Sequence, residues 1–178
     1  MRNYLCAMLL LAHAVGVRAD ERFHSAGHRW PQVYDASGQW VGGLESFGGV
    51  SGVRVIAGDA ATIVPIARTS DAYGNQSATD FTWATSSSAE FTSTDCSGDP
   101  VVVPSGGPRP SIAVRQGNDV TVYIAAEGPT QNFAARSVLL VVPAGCVANQ
   151  TPVTVTGFAV GATIPVSKLH PGALTIGF

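Results

Sequence analysis

The sequence predicts an all-β protein, an antiparallel sandwich or barrel of about ten short strands held by one disulfide. Three observations lead there. Apolar residues alternate with polar ones in short runs, and clusters of Gly, Pro, Asn, Asp and Ser separate the runs at regular intervals. After Ala19 no stretch keeps the apolar period of a helix. Two cysteines, Cys96 and Cys146, remain once an export segment is removed, and an even number in an oxidising compartment favours a bridge over free thiols.

The export segment is residues 1–19. Arg2 supplies a positive start, Leu9-Leu10-Leu11 the centre of an apolar run, and Val17 and Ala19 the small residues that signal peptidase reads before a cut after Ala19. The run falls short of the roughly 20 residues of a spanning helix. Cys6 leaves with it, and the product is secreted or periplasmic. Residues 20–29 are polar and read as a flexible lead-in; His24 and His28 are one helical turn apart but have no intervening Glu and no apolar face beneath them. Residues 30–178 then form a single β domain.

Within it the elements follow in order. Trp30–Tyr34 and Gln39–Gly43 flank the turn Asp35-Ala36-Ser37-Gly38, where Asp accepts bonds from the turn backbone and Gly takes positive φ. Glu45–Gly52 reads as a Gly-rich loop. Val53–Ile56 and Thr62–Ala67 bracket a second turn, with Pro65 placing its strand at an edge or a bulge. Phe81–Thr85, Glu90–Thr92 and Val101–Val103 are short strands around the turn Asp95–Pro100. The clearest hairpin is Ser111–Arg115 with Val120–Ile124, Ile112 and Val114 on one face of the first strand and Val120, Val122 and Ile124 on one face of the second. Ser137–Pro143 is apolar on both faces, which suits a strand buried on both sides or one at an assembly interface. Pro152–Thr156, Ala162–Val166 and Gly172–Phe178 complete the set.

The order of motifs resembles a class of uncharacterised exported bacterial β-domain proteins. The residues that carry the likeness are the Val33–Gly42 hairpin, with its Val-Tyr-Asp, Gly and Val-Gly elements, the Asp95-Cys96-Ser97-Gly98 turn and Cys146 after a late strand. The resemblance implies a bacterial, secreted, mostly β domain and brings no activity with it. The ending Leu169-His170-Pro171-Gly172-Ala173-Leu174 departs from the pattern.

Charge and motif content narrow the functional classes. Ten Lys and Arg against twelve Asp and Glu give a net charge of −2, which becomes more negative when Arg2 and Arg18 leave. No basic cluster marks a nucleic-acid or anionic-membrane partner. Charged residues make up 12% of the chain, half the usual share of about 25%, so much of the surface is neutral. There is no Gly-x-Ser-x-Gly elbow, no phosphate-binding Gly loop and no metal or cofactor motif. Asp35, Asp59, Asp71, Asp95 and Asp119 all fall in turns, where Asp serves the backbone. The expectation is therefore a secreted non-enzymatic domain, with no cofactor, that binds a partner or surface or assembles with itself through Val138, Leu139, Leu140, Val141 and Val142. The alternative is a small secreted carbohydrate-binding or glycoside-hydrolysing protein that uses turn Asp residues and an aromatic patch of Trp30, Tyr34 and Trp40.

Overall fold

A computed structural model describes residues Trp30–Phe178. The expected export segment, residues 1–19 with Cys6, and the expected lead-in with His24 and His28 lie outside the described residues. The first six strands are β1 (Gln32–Tyr34), β2 (Trp40–Phe47), β3 (Val50–Ala57), β4 (Ala60–Ser70), β5 (Gln76–Trp83) and β6 (Ser88–Phe91). Then come β7 (Ser111–Gln116), β8 (Asp119–Ala125), β9 (Gln131–Val141), β10 (Ala144–Gly157), β11 (Val160–Ile164), a one-turn helix α1 (Val166–Leu169) and β12 (Leu174–Gly177). Twelve strands stand where about ten were expected. No helix among the described residues is long and apolar enough to cross a membrane.

Six strands close a barrel in the order β1-β12-β5-β4-β3-β2, and two three-stranded sheets, β10-β9-β6 and β11-β8-β7, pack beside it. Both architectures that the sequence allows are present. The barrel turns its corners on strands that change partner. β2 pairs β1 through Gly43 and β3 from Leu44 onwards, while β4 pairs β3 as far as Pro65 and β5 from Ile66. Pro65 sits at the point of exchange, neither on a free edge nor in a bulge, and its carbonyl still accepts the Ala84 N–H at 2.9 Å.

The expected loop Glu45–Gly52 is instead the tip of a hairpin. Gly48 and Gly49 have φ of 58° and 83°, the paired positive values of a two-residue turn that matches strand twist. Gly52 is needed for a different reason. A methyl group there would fall inside contact distance of the Val64 carbonyl oxygen, so its bareness lets β3 lie against β4.

The β7–β8 hairpin forms as its alternation predicts, with Ile112 opposite Tyr123 and Val114 opposite Thr121. Its two apolar sets point to opposite sides. Ala113, Val120, Val122 and Ile124 join the barrel strands' Val33, Val53, Val64 and Leu174 in one apolar cluster. Ile112, Val114 and Ala125 join Phe91, Cys96 and Val102 in another. The β11-β8-β7 sheet is thus the middle layer, covered on both faces. Thr62, fully buried in β4, donates to the Arg109 carbonyl at 2.8 Å and shares a bond with the Ser111 hydroxyl, which fastens the barrel to β7 without leaving a buried polar group unpaired.

Three further expectations need correction. Val101–Val103 is not a strand: Val101 and Val102 are buried and Val102 makes a single bridge to Phe158, because Pro100 and Pro104 bracket too short a run for a ladder. Ala162–Val166 ends at Ile164, and Pro165 caps α1, its fixed φ suiting the start of a helical turn. The run Val138–Val142 lies mostly in β9, a central strand flanked by β6 and β10, so its backbone is paired on both sides. Leu139 packs into the second apolar cluster, Val138 and Leu140 are half-buried on the opposite face, and Val142 is exposed beyond the strand.

Cys96 and Cys146 form a disulfide, S–S 2.02 Å and Cα–Cα 5.9 Å, fifty residues apart. Cys146 lies within β10 opposite Leu139, one strand further on than the sequence suggests. Closing a loop of that length stabilises a fold by roughly 4 kcal/mol in the chain-entropy model. Around it the Cys96 N–H donates to the buried Ser137 hydroxyl at 2.9 Å, and that hydroxyl donates to the Ser93 carbonyl at 2.8 Å. The bridge fits a chain that folds in an oxidising compartment.

Candidate functional site

The aromatic residues singled out in the sequence meet on the outer wall of the barrel. Val33 points into the core and leaves its strand neighbours Gln32 and Tyr34 facing outward. Tyr34 is the register partner of Trp40, and a Cβ on Gly177 of β12 would lie 3.1 Å from the Tyr34 ring. Gln32 ties the group together. Its Oε1 accepts the Trp40 indole N–H at 2.7 Å, and its Nε2 donates to the Trp30 carbonyl at 3.0 Å.

Trp30 and Trp40 are nevertheless 75% and 58% exposed. Cross-strand packing thus covers only part of these rings. Beside them runs a groove of about 840 Å³ lined by Trp30, Pro31, Gln32, Gly43, Glu45 and Ser46, among others. Its floor at Gly43 is bare, the nearest side-chain atoms to a Cβ there being those of Glu45 and Gln32 at 3.9 and 4.0 Å. Glu45 is the single acidic residue lining it, and it faces Arg54 at 3.8 Å. Exposed indoles, amide and hydroxyl groups and one carboxylate make a surface that can stack on a flat apolar face and hydrogen-bond its rim. Two carboxylates flanking one bond, which glycoside cleavage requires, are not among the residues lining the groove.

A second constellation was invisible in the sequence. Asp35 serves its turn as expected: Oδ1 accepts the Ser37 and Gln39 N–H groups at 2.9 and 3.0 Å and the Ser37 hydroxyl at 2.6 Å. Its other oxygen, Oδ2, accepts from His170 Nδ1 at 3.1 Å, across 135 residues of chain. The Asp35 side chain is 1% exposed and that of His170 17%. The Ser37 hydroxyl foremost, then His170 and the Gln39 and Ser37 N–H groups, outweigh burial and lower the Asp35 pKa from 3.8 to about 2. The carboxylate is therefore ionised and can only accept, so His170 Nδ1 carries the proton in this pair.

The chain brings the two residues together through close loop docking. Gly172, at φ 80°, lies so near the Asp35 turn that a Cβ would stand 2.7 Å from Cβ of Ala36. No sequence motif announces this, since His170 belongs to the segment after α1. His170 also lines a cavity of about 320 Å³ with Thr82, Trp83, Arg115, Asp119 and Ser167, among others. Of the two side-chain hydroxyls there, that of Ser167 accepts the Val120 N–H at 2.7 Å and links α1 to β8.

Comparison with protein-family models, curated proteins and solved structures finds no match for this chain.

Proposed function

We propose that this protein is an exported, non-enzymatic binding domain whose outer barrel face, carrying Trp30, Tyr34 and Trp40, adheres to saccharide. The observation that supports it is the exposure of two tryptophans, Trp30 just before β1 and Trp40 at the start of β2, beside a groove with polar walls. Apolar indole faces left in water are unfavourable unless a partner covers them, and the flat apolar face of a sugar ring is such a partner. The Gln32 bonds hold the Trp40 ring in place before binding, which reduces the ordering cost on association. The lone Glu45 favours recognition over hydrolysis, and the Ser167 hydroxyl in the cavity beside His170 is engaged by the Val120 N–H.

The test is titration calorimetry of the folded chain against soluble glucans, xylans, chitin fragments and peptidoglycan fragments. At least one class binds, Trp30→Ala and Trp40→Ala each weaken it tenfold or more, and no reducing ends are released. Lack of binding to every class, or turnover that one Glu45→Gln change abolishes, refutes the reading.

A second reading, self-assembly, has its own observation. β10 is fourteen residues long, carries no charged side chain, and no strand among the described residues pairs with its outer edge.

A further inference from the structure

The groove beside the exposed indoles has a floor whose polar neighbours narrow the class of sugar it can take. Gln32 lies opposite Gly43 of β2 on one side and Gly177 of β12 on the other, so its amide stands between two positions that carry no side chain. The Tyr34 ring closes the Gly177 side, where a Cβ would lie 3.1 Å from it. The Gly43 side stays open. The nearest atoms to a Cβ at Gly43 are Glu45 Oε1 at 3.9 Å and Gln32 Nε2 at 4.0 Å, so a group set down on that floor meets a carboxylate and an amide together.

These two groups make opposite demands. The bonds from the Trp40 indole N–H and to the Trp30 carbonyl fix which way the Gln32 amide faces, and the second N–H of Nε2 remains as a donor. The Glu45 carboxylate only accepts, and no hydrogen bond within the described residues claims it, Arg54 standing at 3.8 Å. A ligand must therefore present an acceptor to Gln32 and a donor to Glu45. Gln32 stands across the ladder from Gly43 and Glu45 two residues along the same strand, so the two approach the floor from directions at right angles. An acetamido group holds its N–H and C=O antiparallel and cannot turn both ways. Two adjacent hydroxyls can, since each donates and accepts and each rotates to suit. Where such hydroxyls are equatorial they project from the rim of a pyranose and leave its C–H faces for an indole.

We infer that Gln32 and Glu45, across the bare floor at Gly43, are the residues that set specificity on this face, and that they select an uncharged glycan with two adjacent free ring hydroxyls, as in a β-linked glucan or xylan. The inference rests on the saccharide reading and goes beyond it by naming which sugars bind and which side chains read them.

The test is titration calorimetry of the folded chain with cellopentaose, xylopentaose and chitopentaose. The first two carry the hydroxyl pair, and in the third an acetamido group replaces one member of it. Cellopentaose and xylopentaose should bind about tenfold or more tighter than chitopentaose, the scale of one hydrogen bond left unmade. Gly43→Ala is the decisive variant. Its Cβ meets nothing nearer than 3.9 Å, so the melting temperature should hold while the filled floor weakens cellopentaose about tenfold or more. Glu45→Ala should weaken it similarly, and Glu45→Gln, which keeps an acceptor oxygen, should retain part of the affinity. Chitopentaose binding as tightly as cellopentaose, or cellopentaose affinity unchanged in Gly43→Ala or Glu45→Ala, overturns the inference; if that binding still falls in Trp30→Ala and Trp40→Ala, the saccharide reading stands without it. Lack of binding by all three oligosaccharides overturns it as well, and the wider panel of glycans then decides the saccharide reading separately.

Discussion

A single carboxylate illustrates how much one residue can hold. Asp35 organises a five-residue turn through its Oδ1, and Asp71 builds the same turn at the β4–β5 connection. There Oδ1 accepts the Tyr73 and Asn75 N–H groups at 2.8 and 2.9 Å. Gly38 and Gly74 take the left-handed position of the two turns, with φ of 79° and 84°. The difference is the partner: Asn75 bonds the second oxygen of Asp71 at 2.9 Å, whereas His170 bonds that of Asp35. Asp71 lies exposed and Asp35 buried, so only Asp35 ties the turn to the chain's far end. Because the folded pKa of Asp35, about 2, is below its ordinary 3.8, its contribution is complete above about pH 4 and is lost as pH falls to about 2. Asp35→Asn should lower the melting temperature by several degrees at neutral pH, with the gap closing as pH approaches 2. Asp71→Asn should have the smaller neutral-pH effect. Melting curves across this range check both, and a constant gap for Asp35→Asn would contradict the linkage. The sequence discloses the turn at Asp35, since Asp and Gly at that spacing are local signals. It conceals the His170 partner, since 135 residues separate them and no periodicity relates a loop to a distant turn.

At the scale of elements, the most informative residue is the glycine that the sequence assigns to a loop. A Gly-rich stretch reads as flexible because Gly is permissive, yet Gly52 is extended and paired with Pro65. Its role is steric: β3 and β4 meet there too closely for a side chain. Gly42 is similar, since a Cβ would lie 2.6 Å from the Arg54 carbonyl oxygen. Gly52→Ala should therefore destabilise by about 1–3 kcal/mol or more, the usual scale of overpacking, as backbone rather than a flexible side chain must move. Gly58→Ala is the comparison, since a Cβ there meets nothing within 4 Å and only the positive φ of 61° opposes it. Urea unfolding ranks the pair, and an equal or smaller loss at Gly52 would refute the steric argument. The same limit explains the β7–β8 hairpin. Alternation identifies Ile112, Val114, Val120, Val122 and Ile124 as buried, but it cannot tell whether the two strands' apolar faces coincide. That depends on register, which places Ala113 opposite Val122 and turns the sets to opposite sides.

For the whole molecule, the low charge that the sequence displays has its structural counterpart in β10. Exposed edge strands are normally guarded by charge, proline or a bulge. β10 has a register irregularity between Ala148 and Val153, with Pro152 inside it, and this interrupts the far half of the edge. The near half, Ala144–Ala148, is regular, uncharged and braced by the disulfide at Cys146. Val147, 49% exposed, lies opposite Val138, with Leu140 on the same outer face of β9. This is the part of the Val138–Val142 run open to a partner, and it offers side chains rather than backbone. Two copies meeting along β10 in antiparallel fashion would form an isologous pair, since such an edge is complementary to itself. Sedimentation at rising concentration should then show a monomer–dimer equilibrium. Val147→Lys, which adds a charge to the regular half of the edge, should leave the monomer alone, whereas Thr154→Lys beyond the irregularity should leave the equilibrium nearly unchanged. A wild-type chain that stays monomeric at high concentration, or equal loss in both variants, would remove β10 as the contact. In that case the proline-bearing irregularity is guard enough for the whole strand, and the aromatic face is left to carry the protein's binding.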